Sequence, residues 1–432
     1  MYAIFRSLSY RNYRLFFVGQ TVSLIGTWTQ RIALPWLVYR MTGSAFLLGV
    51  VGFAGQIPTF LLAPIAGVLT DRWNRYRILL ATQVLAMLQA FVLTFLYYTG
   101  RIQVWQIITL AAVLGLINAF DVPSRQSLVI EMVENKEDLG NAIALNSSMV
   151  NSARLIGPSL AGVLIAATGE GVCFLINGLS YIVVISSLLM MTLPQRKIQN
   201  AEKRMWHSFK EGVGYVSGFT PIRDVILLLA LVSLVGMPYT VLMPVFAKEV
   251  LGGGSHTFGF LMGASGLGAM AGTIYLASRK NVLGLEKIIT LSAAGFGLGL
   301  IAFSFSRSFI LSIIFLMAAG SGMILEMASS NTITQTIVED GMRGRVMSFY
   351  TMAFMGTAPF GSLLAGAMAS RFGAPHTLAF GGVVCVIGAF VFSGRLAEFR
   401  KIAHPIYIKL GIIPEIAGGI RSATDLTSPP EG

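Results

Sequence analysis

The sequence predicts an all-α integral membrane protein whose twelve transmembrane helices fall into two halves of six. Of its 432 residues, 55% are hydrophobic and only 12% are charged, whereas a soluble domain carries about 25% charged residues. The apolar residues form twelve runs, and each run reaches the roughly 20 residues that a membrane-spanning helix needs. One long polar segment, from Pro194 to Pro221, separates six of these runs from the other six.

The twelve predicted spans follow one another through short connections. They cover about residues 13–39, 46–70, 77–99, 103–124, 139–168, 171–193, 222–250, 257–278, 285–305, 309–331, 344–370 and 375–396. We therefore expect an N-terminal six-helix bundle over 1–193, a linker over 194–221, a C-terminal six-helix bundle over 222–397 and a tail over 398–432. Within the linker, Met205 to Gly218 has one apolar face, which is typical of a helix lying on a membrane surface.

The distribution of basic residues predicts the orientation. With the N-terminus in the cytoplasm, 24 of the 31 Lys and Arg residues lie on the cytoplasmic side, and only 7 lie outside or within spans. This satisfies the positive-inside rule, so we expect both termini, the linker and the tail in the cytoplasm and the helices in a bacterial inner membrane. The net charge of +12 is spread between the apolar runs. That spread suits membrane lipid as a partner, and not nucleic acid.

The sequence lacks the residue patterns of common enzymes and metal sites. Its two cysteines, Cys173 and Cys385, exclude a disulfide framework and a four-thiolate metal site. No Lys follows a Gly, so the phosphate-binding G-x-x-x-x-G-K loop is absent. The patterns G-x-G-x-x-G, H-E-x-x-H and G-x-S-x-G are absent as well. We therefore expect no enzyme activity, no cofactor and no bound metal.

The connection between the second and third spans is a short basic hairpin that reads Gly-Val-Leu-Thr-Asp-Arg-Trp-Asn-Arg-Tyr-Arg over 67–77. It resembles the G-x-L-x-D-R-x-G-R loop between helices 2 and 3 of the major facilitator superfamily, with Asn74 where that family usually has Gly. The resemblance implies an inner latch that braces against helix 11 and favours closure of one side. Its gating candidates are Gly67, Asp71, Arg72, Arg75 and Arg77. We also expect Gly67 to permit close helix packing and Asn74 to tolerate a left-handed turn at the tip.

Three further stretches resemble the enterobactin-exporter-like branch of this superfamily. They are Arg31 to Trp36, Asn118 to Gln126, and Asn141 to Asn146 followed by Gly157-Pro158. This resemblance implies secondary active export of a small, often amphipathic molecule of the drug or siderophore type. It also implies alternating access in two pseudo-symmetric six-helix bundles, and we expect a monomer. Two alternatives stay open, namely a lipid or lysolipid flippase of the same fold and a non-transporting receptor or scaffold.

The two halves carry a faint internal repeat. An offset of 205 residues matches Gly67 with Gly272, Gly115 with Gly320, Asp121 with Glu326, and Val133-Glu134 with Val338-Glu339. Farther along, an offset of 201 matches Pro158 with Pro359. The constant offset indicates that the C-terminal half repeats the N-terminal half in parallel, as in known transporter folds.

Two carboxylates inside predicted spans are the candidates for coupling transport to protons. Charges within a membrane are costly, and they mark functional sites by default. Asp121 and Glu326 lie at equivalent positions of the repeat, on helices expected to line a cavity. Glu326 is the stronger candidate because no basic residue lies within one helical turn, whereas Asp121 is close to Arg125. The alternative is that both residues form hydrogen bonds that hold the helices together.

Polar residues on the first and fifth spans are the candidates for the cavity wall. They are Gln20, Thr27, Gln30, Arg31, Asn146, Asn151 and Arg154. The alternative for the first span is hydrogen bonding between helices. Gly157-Pro158 resembles the Gly-Pro signature in helix 5 of antiporters of the superfamily, which implies a gate. Arg154 needs a partner, either an acidic residue or an anionic substrate, because an unpaired charge at mid-membrane is too costly.

Overall fold

The computed structural model describes residues 5–133, 135–192, 205–279 and 281–412, without the side chains of residues 63, 64, 68, 71, 72, 136 and 205–209. The helices are α1 (Arg11–Thr42), α2 (Ala45–Arg72), α3 (Arg75–Tyr98), α4 (Val104–Glu131), α5 (Leu139–Thr168), α6 (Glu170–Leu189), α7 (Met205–Gly218), α8 (Thr220–Val250, with two π turns), α9 (Ser255–Ala277), α10 (Leu285–Phe305), α11 (Phe309–Ile337), α12 (Arg343–Phe372), α13 (Ala374–Gly394) and α14 (Leu396–Lys409). The described residues contain no strand, so the prediction of an all-α fold is confirmed.

Eleven of the described helices, α2 to α6 and α8 to α13, are long and apolar enough to cross a membrane. Helix α1 is 32 residues long, which exceeds the roughly 20 residues required. A stripe of polar residues that includes Gln20, Ser23 and Gln30 makes it less apolar than the others. Helix α1 nevertheless packs against α5 and α6 inside the N-terminal half, and it covers the first predicted span, 13–39.

Single glycines make equivalent turns in the two halves. Gly169 joins α5 to α6 with φ +84°, and Gly373 joins α12 to α13 with φ +83°. A residue with a side chain rarely adopts this left-handed region. The short connections force α5 and α6, like α12 and α13, to run antiparallel.

The helix packing repeats between the halves. Helix α2 packs against α4, and α3 against α4 and α6, while α9 packs against α11, and α10 against α11 and α13. A Cβ added to Gly115 of α4 would lie 2.4 Å from the carbonyl oxygen of Gly55 on α2. A Cβ added to Gly320 of α11 would lie 2.1 Å from that of Ser265 on α9. Gly115 and Gly320, which the sequence repeat matches, therefore make the same helix contact in both halves.

Ion pairs fasten the peripheral helices to one end of the molecule. We call this end, which carries the start of α1, α7 and α14, the terminal end, and the other the distal end. Glu211 of α7 pairs with Arg345 of α12 at 2.8 Å, and Arg400 of α14 pairs with Glu286 of α10 at 2.9 Å. Helix α7 spans the range predicted for a surface helix, whereas α14 lies in the predicted tail and was not foreseen as a helix.

Candidate transport site between the two halves

Two crosswise helix pairs, α2 with α12 and α5 with α9, join the halves. A Cβ added to Gly49 of α2 would lie 2.6 Å from the carbonyl oxygen of Ser362 on α12. A Cβ added to Gly162 of α5 would lie 2.8 Å from that of Ser255 on α9. Small residues let membrane helices approach to backbone distance. Because α2 is equivalent to α9 and α5 to α12, the same pseudo-symmetry relates the two contacts.

These contacts run from the distal end to the middle of the helices. At the middle, Gly356 of α12 meets Phe60 of α2, and Gly266 of α9 meets Leu155 of α5. Toward the terminal end the same helix faces continue through Ser148 on α5 and Met352 on α12, where both side chains are exposed. The exposed side chains indicate a gap between the two halves that opens at the terminal end, and we call this gap the central cavity.

A polar cluster joins the two halves at the distal end. The Tyr39 hydroxyl of α1 donates a hydrogen bond to Glu249 of α8, and the Lys248 ammonium lies 5.7 Å from the centroid of the Tyr39 ring. Trp36 stacks on Phe258, with ring centroids 6.0 Å apart. The sequence analysis missed this cluster, although the adjacent charges of Lys248 and Glu249 at the end of an apolar run were a signal for it.

The polar stripe of α1 faces the interior of the N-terminal half. Gln30 donates to the side chain of Gln89 at 3.0 Å and accepts from that of Asn177 at 2.8 Å. Gln20 is 3% exposed and Gln30 is 2% exposed, while the Thr27 hydroxyl donates to a carbonyl of its own helix at 2.9 Å. The structure therefore corrects the placement of Gln20 and Gln30 on the cavity wall, because this face of α1 packs against α3 and α6.

Arg31 is one position farther along α1, about 100° around the helix, and its side chain is exposed. Its guanidinium lies over the Trp28 ring, 4.8 Å from the centroid. Gly157 of α5 packs against Trp28, since a Cβ added there would lie 2.3 Å from the Cβ of Trp28. Arg154 is three residues before Gly157, and its charge acts on Arg31. Two cations thus lie close together near the middle of the helices.

Helix α5 also presents amides to the open part of the cavity. Asn146 and Asn151 are both partly exposed, as is Arg154. The Asn151 side chain donates to the carbonyl oxygen of Ser147 on its own helix at 2.9 Å. Ser147 precedes Arg154 by two helical turns, so it shares the same face, and it is exposed.

Pro158 lies where α5 touches both halves. Proline has no backbone N–H, so the carbonyl of Arg154, four residues earlier, has no helical donor. That carbonyl oxygen faces α9, 3.2 Å from a Cβ added to Gly266. The carbonyl oxygen of Pro158 would lie 2.6 Å from a Cβ added to Gly259. The predicted gate residues, Gly157 and Pro158, are therefore at the junction of α1, α5 and α9.

Asp121 is buried in the N-terminal half and is fully engaged there. The Thr82 hydroxyl and the Gln83 amide of α3 donate to its carboxylate at 3.1 and 2.5 Å. Arg125, one turn later on α4, pairs with it at 3.3 Å. These contacts match the alternative of a packing residue that joins α3 to α4.

Glu326 is 1% exposed and lies inside the C-terminal half, not on the cavity surface as expected. Gly322, one turn earlier on α11, packs against Phe296 of α10, which shows the direction of this helix face. The Ser330 hydroxyl donates to the Glu326 carboxylate at 3.2 Å. Among the described residues, Glu326 has no ion pair.

The basic connection between α2 and α3 is described only in part. The side chains of Asp71 and Arg72 are outside the described part of the chain, so the latch remains a prediction. Arg75 pairs with Glu131 at the end of α4 at 3.0 Å. Arg77 lies in the first turn of α3, where its backbone N–H donates to the Asn74 side chain at 3.1 Å.

Two expectations about this connection are corrected. Asn74 has φ −70° and caps α3, so it makes no left-handed turn. A Cβ added to Gly67 would meet no described atom within 4 Å. Gly67 therefore does not serve close helix packing in this conformation.

Comparisons with known proteins agree with this architecture. The sequence pattern of the transmembrane secretion effector family matches residues 3–404. The staphyloferrin A transporter of Staphylococcus aureus (strain NCTC 8325 / PS 47) is 28% identical over 392 residues, which are 90% of this chain and 97% of that protein. Macrolide efflux protein A of Streptococcus pyogenes is 21% identical over 404 residues, which are 91% of this chain and 98% of that protein.

Among solved structures, a bacterial homologue of the human lysosomal transporter Spinster, in an inward-facing and occupied conformation, has a TM-score of 0.70. It is 14% identical, and the match covers 91% of this chain and 98% of that one. Identity at this level is evidence for the fold alone, whereas the family match covers almost the whole sequence. The chain therefore belongs to the transmembrane secretion effector family of the major facilitator superfamily and is a multi-pass membrane transporter that exports small molecules.

Proposed function

We propose that the protein exports small amphipathic molecules of the drug or siderophore type from a bacterial cytoplasm, in exchange for protons. The observations that carry this proposal are the close helix contacts between the halves at the distal end and the exposed faces of α5 and α12 toward the terminal end, which indicate a central cavity open at that end. The positive-inside rule assigns the terminal end to the cytoplasm. The cavity then faces inward, which is the state that loads a substrate for export. The two halves of one chain enclose this cavity, so a monomer is sufficient.

Alternating access in this proposal is a rocking of the two halves about the cavity. Opening outward requires the glycine contacts between α2 and α12 and between α5 and α9 to separate at the distal end. The hydrogen bond from Tyr39 to Glu249 must break in the same step. The helix contacts are made by backbone and small residues, and the Tyr39–Glu249 contact is a single hydrogen bond, which suits a reversible gate.

Glu326 carries the proton in this proposal. It is buried and has no ion pair among the described residues, and its partner Ser330 has a hydroxyl that can bond to either protonation state of a carboxyl. Asp121 has Arg125 beside it, which favours the carboxylate, so we assign Asp121 a structural role. Glu326 exchanges its proton when the outward-facing state exposes it to water.

The test is transport by purified protein in liposomes under an imposed pH gradient. Candidate amphipathic compounds are first screened with the wild type, and the compound that moves is then used with Glu326→Gln, which mimics the protonated carboxyl. We expect exchange of this compound to persist but to lose its response to the pH gradient. Ser330→Ala is the matched control, since it removes the hydrogen-bond donor and keeps the carboxyl. Uphill export at the wild-type rate by Glu326→Gln would exclude Glu326 as the proton carrier.

A further inference from the structure

Arg31 of α1 and Arg154 of α5 are two cations near the middle of their helices, where the close contacts between the halves end. From helix geometry, Arg31 is about 16 Å from the distal end of α1, and Arg154 about 21 Å from that of α5. Arg31 has its guanidinium over the face of Trp28, and Arg154 lies one helical turn before Gly157, whose backbone meets the Cβ of Trp28. Trp28 therefore links the part of α1 that carries Arg31 to the part of α5 that carries Arg154.

No carboxylate of the neighbouring helices is available to neutralise this pair. The sequences of α1, α5, α9 and α12 contain no Asp or Glu, and the single acidic residue of α2 is Asp71, one position before the helix ends at the terminal end. Within the described helix interiors, the carboxylates are Asp121, which pairs with Arg125, and Glu326, which is buried in the C-terminal half.

Five carboxylates near helix ends have side-chain partners. In the part of the chain that the structure describes, Glu131 pairs with Arg75, Glu170 with Arg40, Asp224 with Arg395, Glu286 with Arg400, and Glu249 accepts from Tyr39. Neither Arg31 nor Arg154 has a salt bridge to a described carboxylate. The sequence left an acidic residue and an anionic substrate open as partners for Arg154, and the lack of an ion pair among the described residues favours the anionic substrate.

We infer that the cavity binds a small organic anion, whose carboxylate or similar oxyanion group is held between Arg31 and Arg154 while its apolar part lies toward Trp28. This inference rests on the proposed export function and specifies its substrate class. Planar guanidinium groups bind oxyanions through two parallel hydrogen bonds. An anion placed between two such groups removes their mutual repulsion and replaces the missing protein carboxylate. An empty cavity keeps the repulsion, so substrate binding stabilises the site.

The experiment compares three probes that share one ring system and differ in charge. They are 2-naphthoate, neutral 2-naphthalenemethanol and cationic 2-naphthylmethylamine. Isothermal titration calorimetry on the full-length protein in detergent measures the three dissociation constants. We expect 2-naphthoate to bind at least about tenfold more tightly than either analogue, because each hydrogen bond to a charged group contributes about that factor. Equal or tighter binding of an analogue, or no binding of 2-naphthoate, would overturn the inference.

The variants Arg31→Gln and Arg154→Gln should each weaken 2-naphthoate binding about tenfold or more. The matched control is the double variant Arg101→Gln/Arg307→Gln, which removes two exposed cations from connections at the distal end and should bind like the wild type. Without probe, Arg31→Gln and Arg154→Gln should melt at or above the wild-type temperature, since each removes a repelling charge. A lower melting temperature together with lost binding would assign these arginines a structural role and overturn the inference.

Transport of the same probes separates this inference from the proposed function. If 2-naphthoate binds as expected and no probe moves in liposomes under a pH gradient, the export proposal fails and the anion site stands. If the neutral or cationic probe is exported and 2-naphthoate is neither bound nor moved, export stands and the anion site fails. Titrating the detergent sample with short-chain phosphatidylglycerol distinguishes a lipid headgroup, which would displace 2-naphthoate, from a soluble anion, which is the expected ligand.

Discussion

Two residues at matched positions of the repeat, Asp121 and Glu326, have opposite surroundings. Asp121 accepts hydrogen bonds from Thr82 and Gln83 and pairs with Arg125. Glu326 has one hydroxyl partner, Ser330. At the scale of the residue, we therefore propose that the neighbours of each carboxylate decide its role, with Asp121 holding helices together and Glu326 exchanging a proton.

We predict that Asp121→Asn lowers stability and spares proton coupling. The variant leaves Arg125 without its carboxylate, and losing a buried hydrogen-bonded charge costs about 1–3 kcal/mol. Thermal unfolding in detergent measures the loss, and transport in liposomes under a pH gradient measures the coupling. Glu326→Gln is the control with the reverse pattern, since it breaks no ion pair. Lost coupling with unchanged stability in Asp121→Asn would contradict the structural role.

At the scale of the element, we propose that α5 is the hinge between the halves. Its face with Gly157 packs on Trp28 of α1, and its face with Gly162 packs on Gly259 of α9. Pro158 interrupts the hydrogen-bond ladder between these contacts. Helix α5 touches both halves through backbone contacts, and it lacks one backbone hydrogen bond between these contacts. Such a helix can bend there and transmit the motion of one half to the other.

We predict that Gly259→Val opens the distal closure. Its side chain would have to occupy the space of the Pro158 carbonyl oxygen, which is 2.6 Å from a Cβ at this position. The inward-facing state should lose population, so a cysteine introduced by Ser147→Cys on the cavity face should react more slowly with an impermeant maleimide in inside-out vesicles. The two native cysteines are buried and are replaced by Ser.

Gly295→Val is the control for this experiment. Nothing lies within 4 Å of a Cβ added to Gly295 on α10, so the valine fits without shifting a helix. The cysteine introduced by Ser147→Cys should react at the same rate with and without Gly295→Val. Equal rates in Gly259→Val and Gly295→Val would show that the α5–α9 contact does not control the closure.

At the scale of the whole molecule, the direction in which the cavity opens follows from the orientation in the membrane. The halves are joined from the distal end to the middle, and the cavity opens at the terminal end, where both α7 and α14 are held by ion pairs. If the termini are in the cytoplasm, the cavity of this structure opens inward. If the chain has the reverse orientation in the membrane, the same cavity opens outward. The charge distribution favours the former.

We predict that a cysteine introduced by Asn200→Cys, in the linker outside the described residues, reacts with an impermeant reagent only from the cytoplasmic side. The positive-inside rule gives the reason, because the linker is rich in Lys and Arg. Arg101→Cys, in the exposed connection between α3 and α4, is the matched control and should react only from outside in intact cells. Labelling of Asn200→Cys in intact cells would reverse the topology and the direction of the cavity.

The local pattern of the sequence was sufficient for much of the architecture. Length and continuity of the apolar runs determine which segments cross a membrane, because the bilayer sets the number of residues per span. The repeat that matches Gly115 with Gly320 could be detected in the sequence, because equivalent close helix contacts require the smallest residue at the same position. The helix Met205–Gly218 could be predicted from the sequence because its apolar residues lie on one face.

The direction in which each polar side chain points was decided only by the tertiary structure. Gln30 and Arg31 are neighbours in sequence, yet Gln30 bonds to α3 and α6 while Arg31 is exposed beside Trp28 and Arg154. Period and spacing place residues on a helix face, but the neighbour opposite that face depends on how twelve helices pack. By itself the sequence therefore determined that costly charges lie in the membrane. Only the packing decided that two of them, both positive, lie on the adjacent helices α1 and α5 with no ion pair to a described carboxylate.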